Sequence, residues 1–184
     1  TLKQGLTKLG LDTSKAETLA HFADLMLQKN EVMNLTRITE PTAVAQLHLL
    51  DSAMLLKFAD FRGKTVADVG TGAGFPGMPL RILKPDFDLT LLDSLGKRVD
   101  WLKETCEALG LSRVACVHAR AEEFAADKRE SFDLVTSRAV ANLQILAELC
   151  LPLVRVGGQF LAMKSVESED EIAAAKNAIK TLGG

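Results

Sequence analysis

Residues 65–77 read Thr-Val-Ala-Asp-Val-Gly-Thr-Gly-Ala-Gly-Phe-Pro-Gly, and this stretch decides the fold. Thr65–Val69 is a short apolar run that predicts a strand, and Gly77–Leu83 has the pattern of a helix. Four glycines lie between the two, counting Gly77 itself. Because glycine has no Cβ, it adopts positive φ angles and lets a ligand lie against the backbone. The stretch therefore predicts a close-approach turn that faces the free N–H groups of a helix.

Two classes of cofactor are candidates for this turn. Gly72–Gly77 matches Gly-x-Gly-x-x-Gly, which is typical of dinucleotide-binding proteins but weak by itself. Asp68–Gly74 matches acidic-x-Gly-x-Gly-x-Gly, the pattern of S-adenosylmethionine enzymes, and we expect Asp68 to reach the methionine amino group directly or through water. Pro76 and Pro79 remove two N–H donors that a pyrophosphate would use. The turn therefore favours S-adenosylmethionine.

Short apolar runs alternate with helical patterns after residue 63, which predicts a parallel sheet covered on both faces. We expect the Rossmann-like α/β fold of S-adenosylmethionine-dependent methyltransferases, with ligands at the carboxyl ends of the strands. This fold usually continues into an antiparallel edge, so we expect the C-terminal antiparallel strands to be missing. The predicted strands are Thr65–Val69, Asp88–Leu92, Val114–His118, Phe132–Ser137 and, after a turn at Gly157–Gly158, Gly157–Lys164. The predicted helices are Gly77–Leu83, Lys97–Leu109, Ala121–Ala126, Leu143–Leu153 and Glu167–Thr181.

The first part of the sequence has only helical patterns. Ser14 and Glu17 have the spacing of a capping box, and the helix they predict ends at the polar break Asn34–Thr36. A second predicted helix begins near Pro41, which suits a first helical turn, and ends near Phe58. We therefore divide the chain into an N-terminal helical cap, residues 1–62, and a methyltransferase domain, residues 63–184.

Acidic residues follow two other predicted strands, at the sheet edge where a ligand is expected. Asp93 follows the second strand, where a carboxylate accepts hydrogen bonds from both ribose hydroxyls of either cofactor. Ala121 and Glu122 follow the third strand, where we expect them to meet the adenine amino edge. Two other interpretations stay open, since Asp93 also suits a helix cap and Glu122 a solvated acid at a helix start.

Several further stretches, taken together with the glycine turn, resemble one enzyme family. They are Asn34-Leu35-Thr36, His48-x-x-Asp51-Ser52, Asp68–Pro79, Leu92-Asp93-Ser94 with Lys97-Arg98, Arg120–Glu123 and Phe132–Ala139. The combination resembles the RsmG family, also called GidB, over residues 34–164. That family methylates N7 of a guanine in the 530 loop of 16S ribosomal RNA. The resemblance therefore implies an S-adenosylmethionine-dependent RNA methyltransferase.

The resemblance also implies a set of site residues. Contacts with the cofactor are implied for Gly70, Phe75, Ala121, Glu122 and Arg138. The strand-end argument adds Asp68, Gly72, Gly74 and Asp93 to that group. Positions near the target base or its backbone are implied for Asn34, Thr36, His48, Asp51, Arg138 and Lys164.

For several of these residues a purely structural role stays open. His48, Asp51 and Ser52 fall within one helical turn, so they share a face that is suited to fastening the cap to the core. Asn34–Thr36 also suits a turn with a helix cap, and Lys164 a solvated strand end.

The implied reaction needs alignment rather than proton transfer. Guanine N7 has a lone pair in the ring plane and no proton, so its attack on the methyl carbon needs no general base. The enzyme acts by aligning N7, the methyl carbon and the sulfur. We expect Arg138 to orient the cofactor and the base, with donors to the guanine O6 edge, and Lys164 or Asn34 to hold the RNA.

Composition limits the partners and the compartment. A formal charge of −2 and a pI near 5.9 give no net attraction to nucleic acid, so RNA binding depends on local basic residues. Three cysteines without a Cys-x-x-Cys pair favour a reducing compartment, and no apolar run has the length of a membrane span. We expect a cytoplasmic monomer, without a metal or membrane attachment, whose partner is 16S ribosomal RNA or the small ribosomal subunit.

Two other functions stay open at this point. A methyltransferase acting on a small molecule or a protein has the same cofactor turn. An NAD-dependent oxidoreductase would use the Gly-x-Gly-x-x-Gly match, but the sequence has no second cofactor-binding half and no evident Tyr–Lys or His–Asp catalytic pair.

Overall fold

A parallel sheet organises the computed structural model, which describes residues 1–165 and 168–184. In those residues the strands are β1 (Thr65–Val69), β2 (Asp88–Asp93), β3 (Val114–His118), β4 (Phe132–Arg138) and β5 (Val154–Met163). Their order across the sheet is β3-β2-β1-β4-β5, and all the pairs are parallel. The order reverses between β1 and β4, and such a reversal opens a crevice at the carboxyl ends of the strands. The predicted parallel α/β fold is confirmed.

Helices precede the sheet and alternate with its strands. They are α1 (Leu2–Lys8), α2 (Ala16–Met33), α3 (Pro41–Val44), α4 (Asp51–Ala53), α5 (Gly77–Leu83), α6 (Gly96–Ala108), α7 (Ala121–Asp127), α8 (Leu143–Cys150) and α9 (Glu169–Thr181). A π-helical segment, Ala45–Leu50, joins α3 to α4, and a 3-10 segment, Met54–Lys57, follows α4; together they form one continuous stretch, residues 41–57, that we call the helical arm. Glu40 caps the arm by accepting the backbone N–H groups of Thr42 and Ala43.

The central strands β1, β2 and β4 are largely buried on both faces, which explains their nearly continuous apolar runs, whereas the edge strands β3 and β5 are more exposed. On one face, Val66 and Leu91 pack in a cluster that includes Phe22 and Met26 from the cap. On the other face, Val135 belongs to a second cluster, which also holds residues of α8 and is flanked by residues of α7. The cap therefore shares a core with the sheet, and its boundary at residue 62 stays a prediction.

The sequence prediction was wrong at the start of the cap. α1 was not predicted. The Ser14–Glu17 capping box is absent, because Asp12 accepts the Ser14 N–H at 2.8 Å and no side chain caps α2. The second predicted helix is confirmed as the helical arm.

Other element ends also differ from the prediction. β5 begins at Val154 rather than Gly157, and the turn predicted at Gly157–Gly158 lies inside the strand. A register shift opposite Phe132–Leu134 accommodates the extra residues as a bulge. The predicted start of the last helix, Glu167, lies outside the described residues, and the helix is described from Glu169.

Candidate active site

A crevice of about 170 Å³ lies at the carboxyl ends of β1, β2 and β3. From the predicted site residues it brings together Gly70, Asp93, Ala121 and Glu122. Its lining also includes Ser94, which lies in one of the stretches that carry the resemblance, and Val140 and Leu149, which the sequence did not indicate. The crevice is small compared with ligand pockets of roughly 300–1,000 Å³.

Asp68 holds the glycine turn from inside the protein. Its Oδ2 accepts hydrogen bonds from the Gly77 N–H at 2.9 Å and the Thr71 hydroxyl at 2.7 Å. Its Oδ1 accepts from the Thr136 hydroxyl on β4 at 3.2 Å. Burial raises the pKa of Asp68 to about 6, against the lowering effect of these hydrogen bonds. The predicted contact of Asp68 with an amino group stays a prediction, whereas its contacts here set the shape of the turn.

The glycines of the turn have different surroundings. Gly70, Gly72 and Gly74 have φ angles of 66°, 58° and 92°, a region that favours glycine. A Cβ on Gly74 would lie 2.6 Å from Met78, so Gly74 allows close packing of the turn on α5. A Cβ on Gly70 would lie 2.5 Å from Val140, whereas one on Gly72 would have no atom nearer than 4.0 Å. Gly72 therefore leaves open space at the turn, and Val140 covers Gly70.

Asp93 joins the end of β2 to the glycine turn. It is 4% exposed, and its Oδ2 accepts the Gly72 N–H at 2.9 Å. Its Oδ1 accepts the N–H of Leu95, the N-cap residue of α6, at 2.9 Å, so Asp93 orders the loop before α6 without capping the helix itself. Arg98 lies 3.8 Å from Oδ2. The ribose contact stays a prediction.

Ala121 and Glu122 are the first two residues of α7, at the rim of the crevice. The Glu122 side chain is 59% exposed, and its Oε2 lies 3.8 Å from Nε of Arg120. Exposed ion pairs of this length contribute little stability, so Glu122 is available to a ligand.

Arg138, at the end of β4, connects the sheet to the helical arm. Its Nη1 donates to the Leu47 carbonyl at 3.0 Å, and its Nη2 donates to His48 Nδ1 at 3.0 Å. Cζ lies 4.9 Å from the centre of the Phe75 ring, which is a cation–π distance. Asp51 lies 3.6 Å from Nη1. The structure therefore brings together four residues that the sequence placed in the site, namely Arg138, His48, Asp51 and Phe75.

His48 uses both ring nitrogens within the protein. Nε2 lies 2.8 Å from the Thr36 hydroxyl, and the ring stacks on Phe75 with centres 4.6 Å apart. Burial, followed by the positive charge of Arg138, lowers the pKa of His48 to about 4. A contact between His48 and a target base stays a prediction, and the geometry favours the interpretation that His48 fastens the cap.

Asn34 and Lys164 lie apart from this group. Asn34 is exposed and ends α2 in a left-handed conformation with a φ of 53°. Nζ of Lys164 donates to the Ala141 carbonyl at 2.9 Å and lies 2.6 Å from Oε1 of Glu171. Glu171 also accepts the Leu143 N–H. Lys164 thus holds the loop between β4 and α8, and the assignment of both residues to RNA stays a prediction.

Several residues of the site gave no signal in the sequence. Val140 meets Gly70 only through the fold, since seventy positions separate them. Asn30 accepts the Thr36 N–H at 2.8 Å, and an asparagine six residues upstream of a turn has no distinguishing pattern. Thr71 lies inside the glycine turn, and its hydrogen bond to Asp68 was not predicted from the sequence.

Two other kinds of feature are absent from the residues that the structure describes. Within residues 1–165 and 168–184, no group of three or more His, Cys, Asp or Glu side chains is arranged to hold a metal ion. In the same part of the chain, no helix combines the length and apolar character that crossing a bilayer requires.

Comparisons of the sequence with a family model and with curated proteins point to the same enzyme family. The family model GidB, described as rRNA small subunit methyltransferase G, matches residues 15–184. A protein named ribosomal RNA small subunit methyltransferase G from Clostridium perfringens is 44% identical over 188 residues, covering 100% of this chain and 79% of the relative. A protein of the same name from Lactobacillus johnsonii is 47% identical, covering 97% and 78%.

Solved structures support the fold. An S-adenosylmethionine-dependent methyltransferase from Aquifex aeolicus has a TM-score of 0.57 at 16% identity, covering 82% of this chain and 86% of that one. A ribosomal protein L11 methylase from Lactobacillus delbrueckii has a TM-score of 0.57 at 21% identity, covering 74% and 68%. At these identities the likeness is one of fold alone.

Proposed function

Since the chain belongs to the GidB family of rRNA small subunit methyltransferases, we propose that it transfers a methyl group from S-adenosylmethionine to N7 of a guanine in the 530 loop of 16S ribosomal RNA. The observation that carries the proposal is the family match over residues 15–184, which includes the crevice and the group around Arg138. The earlier resemblance to this family is confirmed.

The residues of the crevice suit a nucleoside with an amino-acid tail. Gly72 leaves space that a Cβ would fill, at a backbone conformation that favours glycine. The carboxylate of Asp93 accepts the Gly72 N–H beside this space, and Asp93, Ala121 and Glu122 all line the crevice. These residues, with Gly70, would hold S-adenosylmethionine, which supplies an electrophilic methyl carbon when bound.

The charge state of the site fits attack by guanine N7. His48 is uncharged near neutral pH, and both its ring nitrogens have partners, so it is not placed as a general base. N7 needs none, because it carries a lone pair and no proton. We assign the alignment of base and methyl group to Arg138, whose side chain is held by the Leu47 carbonyl and His48.

The RNA partner and its compartment follow from this proposal. The substrate is 16S ribosomal RNA, free or within the small subunit, and the cytoplasm is where this RNA is found. We retain Asn34 as an RNA contact, because it is exposed on the same stretch as Thr36. A monomer and the absence of a metal remain parts of the proposal.

Methyl transfer with tritiated S-adenosylmethionine tests the function. Candidate acceptors are 16S ribosomal RNA and small subunits that lack the modification, a ribosomal protein mixture and a small-molecule extract. We expect label in the RNA, and chain cleavage at N7-methylguanine after borohydride and aniline treatment to fall in the 530 loop. Label in protein or small molecules alone would reject the proposal. Calorimetry with S-adenosylhomocysteine and with NAD tests the cofactor, and tight binding of NAD alone would favour an oxidoreductase.

A further inference from the structure

A chain of hydrogen bonds runs from α2 to the end of β4. The Asn30 side chain accepts the Thr36 N–H at 2.8 Å. The Thr36 hydroxyl meets Nε2 of His48 at 2.8 Å, and Nδ1 of His48 meets Nη2 of Arg138 at 3.0 Å. The chain therefore joins the cap to the residue to which alignment is assigned.

The donors in this chain determine which nitrogen of His48 carries the proton. A guanidinium group only donates, so Nδ1 must be the unprotonated nitrogen. The neutral ring then has its proton on Nε2, and it donates that proton to the Thr36 hydroxyl oxygen. The same oxygen accepts the Ile38 N–H at 3.0 Å, which orients it toward donors. The hydrogen bonds at the two ring nitrogens therefore indicate the same tautomer, with the proton on Nε2.

This tautomer fixes the guanidinium in a plane. Nη2 is directed to His48, Nη1 to the Leu47 carbonyl, and Cζ lies over the Phe75 ring. His48 stacks on the same ring with an angle of 22° between the two planes. The Arg138 side chain is only 15% exposed, so few other positions are open to it.

We infer that Thr36 and His48 are positioning residues for Arg138: Thr36, as an acceptor at Nε2, stabilises the Nε2–H tautomer of His48 that the Arg138 donor requires, and His48 Nδ1 then orients the guanidinium for methyl transfer. This inference rests on the proposed function for its kinetic consequence, but its tautomer is observable without any activity. It replaces a direct contact between His48 and the RNA with an action through Arg138.

A matched pair of variants separates positioning from simple structural support. In His48→Asn the side-chain amide reaches the place of Nδ1 and can accept from Arg138. In His48→Gln the amide reaches the place of Nε2 and can meet Thr36 but not Arg138. Both variants lose the stacking on Phe75, so we expect similar melting temperatures. The methyl-transfer rate at saturating cofactor should stay within about tenfold of wild type for His48→Asn and fall by about 10²-fold for His48→Gln.

Thr36→Val tests the first link, because valine has the same shape without an acceptor. The variant removes the hydrogen bonds of the Thr36 hydroxyl with His48 and with the Ile38 N–H, and we expect a fall in rate of about tenfold with little change in the affinity for S-adenosylhomocysteine. Ile38→Val is the control, since it keeps the backbone N–H that meets Thr36 and changes only an apolar side chain.

Nitrogen-15 NMR of histidine-labelled protein reads the tautomer directly. We expect His48, assigned by its loss in His48→Asn, to carry its proton on Nε2 in wild type and to become a mixture in Thr36→Val. A proton on Nδ1 in wild type would overturn the inference, and so would equal losses of rate in His48→Asn and His48→Gln. If the wild-type protein methylates no RNA, the proposed function fails, while the NMR result still decides the tautomer.

Discussion

Val140 occupies the space that the missing side chain of Gly70 leaves free, since a Cβ on Gly70 would lie 2.5 Å from Cγ2 of Val140. Gly70 also has a φ of 66°, which is strained for any residue with a Cβ. The contact joins the first and fourth strand-end loops across the switch point of the sheet. Val140 therefore fills part of the crevice. A side chain at position 70 would be unfavourable for two reasons, the positive φ angle and the clash with Val140.

The first prediction compares Gly70→Ala with Gly72→Ala. Both introduce a Cβ at positive φ, which costs roughly 1–2 kcal/mol. Only Gly70→Ala adds a clash, for which overpacking typically costs roughly 1–3 kcal/mol more. Urea unfolding should therefore show a larger decrease in the free energy of unfolding for Gly70→Ala than for Gly72→Ala. Adding Val140→Ala to the Gly70→Ala protein should bring its free energy of unfolding to that of Gly72→Ala. Equal decreases in the free energy of unfolding for the two single variants would show that the Val140 side chain moves aside without cost.

Asp68 is the subject of the second prediction. In Asp68→Asn the amide oxygen can still accept from Gly77 and Thr71, but an NH2 group takes the place of Oδ1, so the Thr136 hydroxyl must turn from donor to acceptor and the hydrogen bonds to a carboxylate become weaker, neutral ones in a fully buried place. We expect a loss of about 1–3 kcal/mol in the free energy of unfolding and weaker binding of S-adenosylhomocysteine. Thr136→Val, which removes only the 3.2 Å bond, is the graded control and should cost less. Unchanged stability in Asp68→Asn would mean that the carboxylate does not hold the turn.

The third prediction concerns Arg138→Lys. Lysine keeps the charge, but its single ammonium group cannot meet the Leu47 carbonyl and His48 in one plane while lying over Phe75. We expect kcat/KM for methyl transfer to fall by about 10²-fold, with the fold retained in circular dichroism. Arg62→Lys, in an exposed pair with Asp60, is the control. Near-normal turnover of Arg138→Lys would remove Arg138 from the aligning role.

The sequence predicted the fold because its signals are local. β1, β3 and α5 have the predicted bounds, since each is a short apolar run or helical pattern closed by glycine, proline or polar residues. β5 was placed three residues too late, because Gly157–Gly158 has the composition of a turn but forms a bulge against β4. Local composition cannot distinguish a turn from a bulge, since only the partner strand decides between them.

The sequence predicted several of the residues that come together in the site, but not the contacts that they make with one another. The strand-end rule identified Asp93 and Gly72, yet it gave no indication that they bind each other. Resemblance identified His48 and Arg138 together, whereas their contact spans ninety positions and depends on the cap packing on the sheet. The charge and proton of His48 follow from burial and from its partners, which sequence spacing does not report.

The fourth prediction separates two roles for Lys164. If it acts by holding the loop after β4, then Lys164→Met and Glu171→Gln should lower kcat/KM by a similar factor of about two to five. The double variant should then be no worse than Lys164→Met, because that substitution alone already removes the contact between Lys164 and Glu171. A loss in Lys164→Met alone, with Glu171→Gln normal, would instead place Lys164 on the RNA.

The last prediction concerns the pH dependence of stability that His48 causes. Its pKa is lowered from 6.5 in the unfolded chain to about 4 in the folded protein, chiefly by burial. Between these values the unfolded state binds more protons, so the stability contributed by the neutral ring is complete above pH 6.5 and is lost as the pH falls toward 4. His48→Asn has no such group. From pH 7 to pH 4, wild type should lose more unfolding free energy than His48→Asn by on the order of 1–3 kcal/mol.

Urea unfolding of both proteins at several pH values measures this difference. Asp68 has the opposite sign, because its raised pKa of about 6 favours the folded state as the pH falls through that value. Asp68 is present in both proteins, so its contribution cancels in the comparison. Parallel curves for wild type and His48→Asn would show that the ring accepts a proton in the folded state as readily as in the unfolded chain. Nδ1 would then not be reserved for Arg138, since a protonated ring cannot accept from a guanidinium.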